Sequence, residues 1–69
     1  MTNLSFITLN GQEHPLSTPC TIRELLNTLQ IKGPVVVEHN GTALLPQQFD
    51  KITIHPGDQL ELVAIVAGG

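Results

Sequence analysis

The chain has 69 residues, of which 41% are hydrophobic and 13% are charged, and its formal net charge is −3. This composition is typical of one small folded domain, because a disordered segment would be more polar and more charged. The three cations (Arg23, Lys32 and Lys51) are scattered, so the basic cluster that neutralises nucleic-acid phosphates is missing and nucleic-acid binding is not expected.

A β-hairpin is predicted at the beginning of the chain. Residues 4–10 alternate around β-forming side chains and end at Asn10-Gly11, a dipeptide that tolerates positive φ and marks a tight turn. Residues 12–17 form the predicted return strand. Because Pro15 has no N–H to donate, this strand is expected at the edge of a sheet.

One helix follows the hairpin. Thr21 is a suitable N-cap, and Glu24 completes a capping box three residues later. The apolar stripe has the i, i+3, i+4, i+7 spacing of a helix and consists of Ile22, Leu25, Leu26 and Leu29. Gly33 and Pro34 are predicted to end this helix.

The second half of the chain is predicted to be mostly β-structure. Residues 35–37 are three valines, which indicate a buried strand, and Asn40-Gly41 marks a second hairpin. The remaining predicted elements are a return arm at 42–45, a loop or helical turn at 46–51 anchored by Phe49, a short strand at 52–54 and a last strand at 59–66. This order predicts an α+β domain over residues 1–66, with one helix across a small mixed sheet of four to five strands.

The last strand carries the first functional signal. Leu60, Leu62, Ala64 and Val66 share one face, while Gln59, Glu61, Val63 and Ile65 share the other. If the first set faces the helix, Val63 and Ile65 are exposed apolar side chains, which suggests a partner-binding surface. Isolated exposed aliphatic residues are also common without any function.

Residues 67–69 are predicted to form a flexible tail, in which Gly68 and Gly69 lack a Cβ atom. One interpretation is a frayed terminus. The other is a functional arm, since four extended residues reach about 13–14 Å and fit a narrow channel. Such an arm would deliver the α-carboxylate of Gly69, which becomes an acyl donor after adenylation by ATP.

The chain itself has no P-loop, no paired metal ligands and no Ser-His-Asp order. It is therefore not expected to be an enzyme, to bind a cofactor or to hold a metal, and a separate ATP-using enzyme is implied. The histidines, His14, His39 and His55, lack metal-ligand spacing. Cys20 is more often a small core filler than a reactive thiol in such a position. The absence of a membrane-span-length apolar run and of a basic leader at Met1 predicts a cytoplasmic protein with no membrane partner.

Several motifs of this chain occur together in one known family. They are Asn10-Gly11, Thr21-Ile22-Arg23-Glu24-Leu25-Leu26, Val37-Glu38-His39-Asn40-Gly41, and Gly57-Asp58-Gln59-Leu60-Glu61-Leu62 followed by Gly68-Gly69. Their order and spacing over essentially the whole chain resemble the ThiS family, the sulfur carriers of thiamine (thiazole) biosynthesis. The resemblance implies a β-grasp (ubiquitin-like) fold.

The resemblance also implies a function and its residues. The Gly69 carboxylate would be adenylated by an E1-like adenylyltransferase of the ThiF type and converted to a thiocarboxylate with sulfur relayed from a cysteine desulfurase. Thiazole synthase of the ThiG type would accept that sulfur. Gly68 and Ala67 would give the tail access to its partners, and Val63 and Ile65 match the apolar face that β-grasp carriers present to E1-like enzymes.

Three other functions stay open at this point. A MoaD-like small subunit of molybdopterin synthase uses the same tail chemistry, although those chains often have prolines before the glycines and residues 64–67 have none. A β-grasp interaction module would leave the tail idle. A lysine-conjugated modifier would attach Gly69 to a target protein.

Overall fold

Five strands form one mixed sheet, and a single helix packs across one of its faces. The computed structural model describes residues 5–65. The predicted domain boundary at residue 66 and the predicted tail at 67–69 lie outside this range. The elements are β1 (Phe6–Leu9), β2 (Gln12–Pro15), β3 (Cys20–Thr21), α1 (Ile22–Thr28), β4 (Val35–His39), β5 (Thr42–Leu44), a 3₁₀ turn (Pro46–Gln48), β6 (Thr53–Ile54) and β7 (Gln59–Ala64).

The last strand lies in the middle of the main sheet, whose order is β2-β1-β7-β4-β5. It runs parallel to β1 and antiparallel to β4, while each hairpin is antiparallel. This arrangement confirms the predicted α+β class and the predicted number of strands. The proline-containing strand β2 is at the sheet edge, as expected. β6 lies within the short strand predicted at 52–54. β3 and its pairing with β6 in a second small sheet were not predicted, because two residues before a helix are too few to show alternation.

The two Asn-Gly turns have the geometry that their sequence predicts. The φ angles are 51° and 81° at Asn10 and Gly11, and 51° and 83° at Asn40 and Gly41. Positive φ at both central residues is the signature of a type I′ turn, whose twist matches that of the flanking strands. Each hairpin is therefore determined by its own turn residues. The turns do not determine how the two hairpins join into one sheet.

The helix begins at the predicted capping box. The Glu24 N–H donates to Thr21 Oγ1 at 3.1 Å, and the Thr21 N–H donates to Glu24 Oε1 at 2.8 Å. The three buried residues of the helix, Ile22, Leu25 and Leu26, come from the predicted apolar stripe. Two otherwise unpaired N–H groups are satisfied at this end of the helix.

The helix ends earlier than predicted, at Thr28, and not at Gly33-Pro34. Gln30 adopts φ 59°, its N–H donates to Asn27 C=O at 3.1 Å, and the Ile31 N–H donates to Leu26 C=O at 2.9 Å. These are the two bonds of a Schellman motif, with glutamine at the left-handed position that glycine usually occupies. Leu26 is part of the buried core, and Ile31 is partly buried and packs against that core.

The core lies between the helix and the inner face of the sheet. Within residues 5–65 its ten buried apolar residues are Ile7, Leu16, Ile22, Leu25, Leu26, Val37, Phe49, Ile54, Leu60 and Leu62. Cys20 packs against them, and burial, with a further contribution from the Glu24 carboxylate, raises the pKa of its thiol. A raised thiol pKa disfavours the reactive thiolate, which agrees with the filler interpretation.

The prediction of a uniformly buried valine strand was wrong. Val37 is 0% exposed, but Val36 is 47% exposed. The helix covers only one face of the sheet, so β4 alternates between core and outside in spite of its continuous apolar sequence. Within residues 5–65, no helix has the length and hydropathy to cross a membrane.

Candidate functional site

The strand that leads to residues 66–69 is held by both hairpin turns. Asn10 Nδ2 donates to Leu62 C=O at 3.2 Å, and Asn10 Oδ1 accepts the Leu62 N–H at 2.7 Å. On the opposite side of β7, Asn40 Oδ1 accepts the Gln59 N–H at 2.8 Å. The backbone pairing of β1 with β7 covers only two residue pairs, so the Asn10 side chain extends this contact along β7.

Sequence reasoning missed this role of the asparagines. The Asn-Gly dipeptides were explained by turn geometry alone, which says nothing about a third strand. The signal available in the sequence is that both turns have Asn rather than Asp at the first position. An ionised Asp only accepts hydrogen bonds, whereas the Asn amide both donates and accepts, as Asn10 does toward Leu62.

Asp58 fixes the turn that precedes β7. Its Oδ2 accepts the His55 N–H at 3.0 Å and lies 2.8 Å from His39 Nε2 at the end of β4. Burial alone would raise the pKa of Asp58, but hydrogen bonds from His39, the His55 backbone and Asn40, with the charge of His39, hold that pKa below its ordinary value of 3.8. Asp58 therefore holds the turn between β6 and β7, and His39 is its side-chain partner.

The lowered pKa of Asp58 gives a prediction for acid stability. A depressed folded-state pKa contributes stability that is present above the ordinary value of 3.8 and is lost as the pH falls through the lowered value. Asp58→Asn should therefore cost about 1–2 kcal/mol near neutral pH. The difference from the unmodified chain should shrink under acid conditions, because the amide does not titrate. Urea unfolding over a series of pH values measures both effects, and a constant difference at all pH values would contradict the assignment.

The outer face of the sheet, opposite the helix, exposes an apolar patch at the end of β7. Val63 is 60% exposed and Ile65 is 54% exposed, as their alternation predicts. Val36 lies directly opposite Val63 on β4, and the Ile65 N–H donates to Pro34 C=O at 3.0 Å. Leu45 follows β5, where the register places it beside Val36, and it is 57% exposed. We call Val36, Leu45, Val63 and Ile65 the outer apolar patch.

Two members of this patch were not predicted. Val36 was assigned to a buried strand, and Leu45 was treated only as part of a return arm. Their proximity to Val63 depends on the register of three strands, which the sequence of one strand does not contain. Val63 and Ile65, which were predicted as two isolated exposed residues, therefore belong to a contiguous apolar surface across β5, β4 and β7.

The other candidate residues are not brought together. Over residues 5–65 no group of three or more His, Cys, Asp or Glu side chains is placed to hold a metal ion. His14 lies on β2, where its Nδ1 is 2.9 Å from the Pro15 C=O. The predicted functional residues Ala67, Gly68 and Gly69 lie outside the described range. The part of the site that the structure describes is the strand leading to them and the surface beside it.

Comparison with known proteins decides the family. A model of the ThiS family matches residues 5–69. The chain belongs to the ThiS family. The crystal structure of a thiamine biosynthesis protein (ThiS) from Geobacter metallireducens superposes with a TM-score of 0.79 and 31% sequence identity, covering 93% of this chain and 99% of that protein. This match confirms the β-grasp fold and the recognition of the family from its motifs.

Two curated relatives are similar over most of their length. The uncharacterized protein ycf40 of Trieres chinensis is 32% identical over 62 residues, which are 88% of this chain and 85% of that protein. The uncharacterized protein ycf40 of Porphyra purpurea is 33% identical over 64 residues, which are 91% and 90% of the two chains. Each alignment therefore covers most of this ThiS family chain and most of the relative.

Proposed function

We propose that this chain is a sulfur carrier of thiamine biosynthesis, acted on by partner enzymes through the carboxylate of Gly69. In this proposal an E1-like adenylyltransferase of the ThiF type uses ATP to activate Gly69. A sulfur donor such as a cysteine desulfurase supplies sulfur, and thiazole synthase of the ThiG type accepts it. Membership of the ThiS family supports the carrier role. The family model matches the chain through residue 69, and we propose Gly69 as the residue that is modified.

The observation that carries the proposal is the match of the family model through Gly68 and Gly69, together with the fold match. The fold places β7 in the centre of the sheet, where two neighbouring strands and two asparagine side chains hold it. Residues 66–69 therefore follow directly on a central strand that is paired on both sides. A partner enzyme that pulls on residues 66–69 would have to disrupt the whole sheet to unfold the domain. We therefore expect the domain to stay folded while Gly69 is delivered to the partner.

The proposed chemistry has two steps. An oxygen of the Gly69 carboxylate attacks the α-phosphate of ATP, the bond to pyrophosphate breaks, and an acyl-adenylate forms. Sulfide then attacks the acyl carbon, and the bond to AMP breaks, which leaves a thiocarboxylate. The chain supplies the acyl group, while the activating enzyme supplies the binding sites for ATP and for the leaving groups.

The roles proposed for Ala67, Gly68 and the outer apolar patch follow from this chemistry. Residues without Cβ branches suit a narrow channel to the adenylation site. Val63 and Ile65 lie on the outer face directly before the tail, so an enzyme that accepts the tail has an apolar surface beside the channel entrance. Burying exposed aliphatic side chains contributes roughly 25 cal/mol per Å² of apolar area to such docking.

Intact-mass measurement tests the proposal. The chain is incubated with a ThiF-type enzyme of the same source, ATP and sulfide, beside a matched variant that lacks Gly69. We expect a mass gain equal to the exchange of one oxygen for one sulfur, and no gain in the variant. The deletion leaves residues 5–65 unchanged, so its folded state serves as a control by circular dichroism. An unchanged mass with an enzyme that converts its own carrier would refute the proposal and favour the interaction-module function.

A further inference from the structure

A cavity of about 310 Å³ lies on the helix side of the sheet, between the helix, the loop that follows it and the 3₁₀ turn. Its apolar wall includes Leu26 and Phe49 of the buried core and the partly buried Ile31. Ligand pockets usually have volumes of about 300–1,000 Å³, so this cavity has room for a short peptide segment. It is separate from the outer apolar patch, which lies on the opposite face of the sheet.

Two of the three cations of this acidic chain, Arg23 and Lys32, line the cavity. No Asp or Glu of residues 5–65 lines it. Arg23 Nε lies 3.4 Å from Asp50 Oδ1, and its guanidinium is 5.3 Å from the centre of the Phe49 ring. Lys32 makes no ion pair within the same range. The cavity therefore combines an apolar wall with an uncompensated positive charge.

Backbone donors add to the attraction of this cavity for an anion. Lys32 and Gly33 both line it, and neither of their N–H groups donates to a backbone carbonyl within residues 5–65. Gly33 has a φ of 86°. Successive N–H groups beside a residue with positive φ can form a concave anion site, and such sites capture the terminal carboxylates of peptides. The chemistry of the cavity therefore favours a carboxylate at the end of a short segment.

The end of β7 lies at the rim of this cavity. The Ile65 N–H donates to the C=O of Pro34, which lines the cavity, at 3.0 Å. Lys32 is two residues from Pro34, so the backbones of these two residues are within about 7 Å of each other. Residues 66–69 reach about 13–14 Å when extended. The α-carboxylate of Gly69 can therefore reach Lys32 without full extension of the chain.

The sequence of residues 66–69 matches both parts of the cavity. The alternation along β7 assigns Val66 to the face of Leu60 and Leu62, which are buried on the helix side. The apolar Val66 side chain complements the apolar wall. The two glycines that follow allow the turn that brings the α-carboxylate to the positive part, because they adopt positive φ without a steric penalty.

We propose that the cavity binds the chain's own residues 66–69, with Val66 against the apolar wall and the Gly69 carboxylate at the Lys32 ammonium and the Lys32 and Gly33 N–H groups. The docking needs no other molecule and does not depend on the proposed function. Its consequence for a sulfur carrier does rest on that function: the free carrier has a closed state, from which a partner enzyme draws the terminal group. Because exposed ion pairs are individually weak, this release is not costly.

NMR spectroscopy of the full chain tests the docking. We expect nuclear Overhauser contacts between the α-protons of the two terminal glycines and the side chains of Ile31 and Phe49. Asn27→Trp puts a bulky side chain on an exposed residue that lines the cavity, and it should abolish these contacts and give the amide shifts of the open state. In Lys32→Gln the ratio of docked to open populations, read from the Gly69 amide shift, should fall about two- to fivefold. High salt should lower this ratio in the unmodified chain.

Lys51→Gln is the matched control, because it removes the same charge from an exposed lysine that does not line the cavity. It should leave the Gly69 amide shift unchanged. Absence of the contacts in the unmodified chain, or the same Gly69 shift in all variants, would overturn the inference. A shift that depends on protein concentration would also overturn it, since the cavity would then hold the end of a second copy. No enzyme or ATP enters this test, so the mass experiment decides the carrier function independently.

Discussion

Replacing Leu60 with alanine is expected to lower the free energy of unfolding by about 2–5 kcal/mol. Leu60 is 1% exposed and lies on β7, the strand between the two hairpins. Its loss removes apolar contact area and leaves a cavity that the two neighbouring strands restrain from collapsing. Because a domain of this size has a small margin of stability, a large part of the population should be unfolded at physiological temperature.

Val63→Ala is the matched control for this prediction. It removes apolar side-chain carbons from the same strand, but Val63 is 60% exposed, so the expected loss of unfolding free energy is below about 1 kcal/mol. Urea denaturation followed by far-ultraviolet circular dichroism measures both variants. Equal losses at positions 60 and 63 would show that the two faces of β7 are not buried as described.

Asn10→Ala should be the second most damaging of these substitutions, at about 2–4 kcal/mol. It removes both side-chain hydrogen bonds to Leu62, each worth about 0.5–1.5 kcal/mol. It also places alanine at φ 51°, a left-handed conformation that costs a residue with a Cβ atom about 1–2 kcal/mol. Because the Asn10 side chain is partly exposed, water replaces some of its hydrogen bonds to the Leu62 backbone in the variant, which reduces the loss of stability.

A glycine at the same position separates the two effects. Asn10→Gly also loses the bonds to Leu62, but glycine adopts the positive φ without a steric penalty. We therefore expect Asn10→Gly to retain more stability than Asn10→Ala, and both to fall below the unmodified chain. Amide hydrogen exchange at Leu62, whose N–H donates to Asn10, should be faster in both variants. Protection of that amide at its original level would contradict the proposed contact.

Local chemistry made much of the fold predictable. The two Asn-Gly turns, the Thr21–Glu24 capping box and the edge position required by Pro15 each depend on neighbours within a few residues. All three are present in the structure. The predicted helix end was wrong because Gln30 adopts a left-handed conformation for which glutamine has no general preference, directly before Ile31, which packs against the core.

Features that depend on strand register were not predictable from one sequence. Val36 is exposed because no layer formed by residues 5–65 covers the outer face. Its neighbour Val63 lies on β7, and its neighbour Leu45 directly follows β5. The bonds from Asn10 to Leu62 join residues 52 positions apart. Alternation within β7 was sufficient to predict that Val63 and Ile65 are exposed. Successive side chains of a strand point to opposite faces, so identifying the buried face also identifies the exposed one.

The central position of β7 also has a consequence for synthesis of the chain. During translation both hairpins leave the ribosome before β7, yet only β7 joins β1 to β4. The nascent chain therefore holds two separate hairpins without a shared sheet, and an isolated hairpin is marginally stable at best. Products that stop before Gln59 lack the strand that completes the domain, so we expect proteases to cleave them more readily than the full chain. Degradation of such fragments enriches the folded population in chains that have been translated through β7, the strand that leads to the glycines.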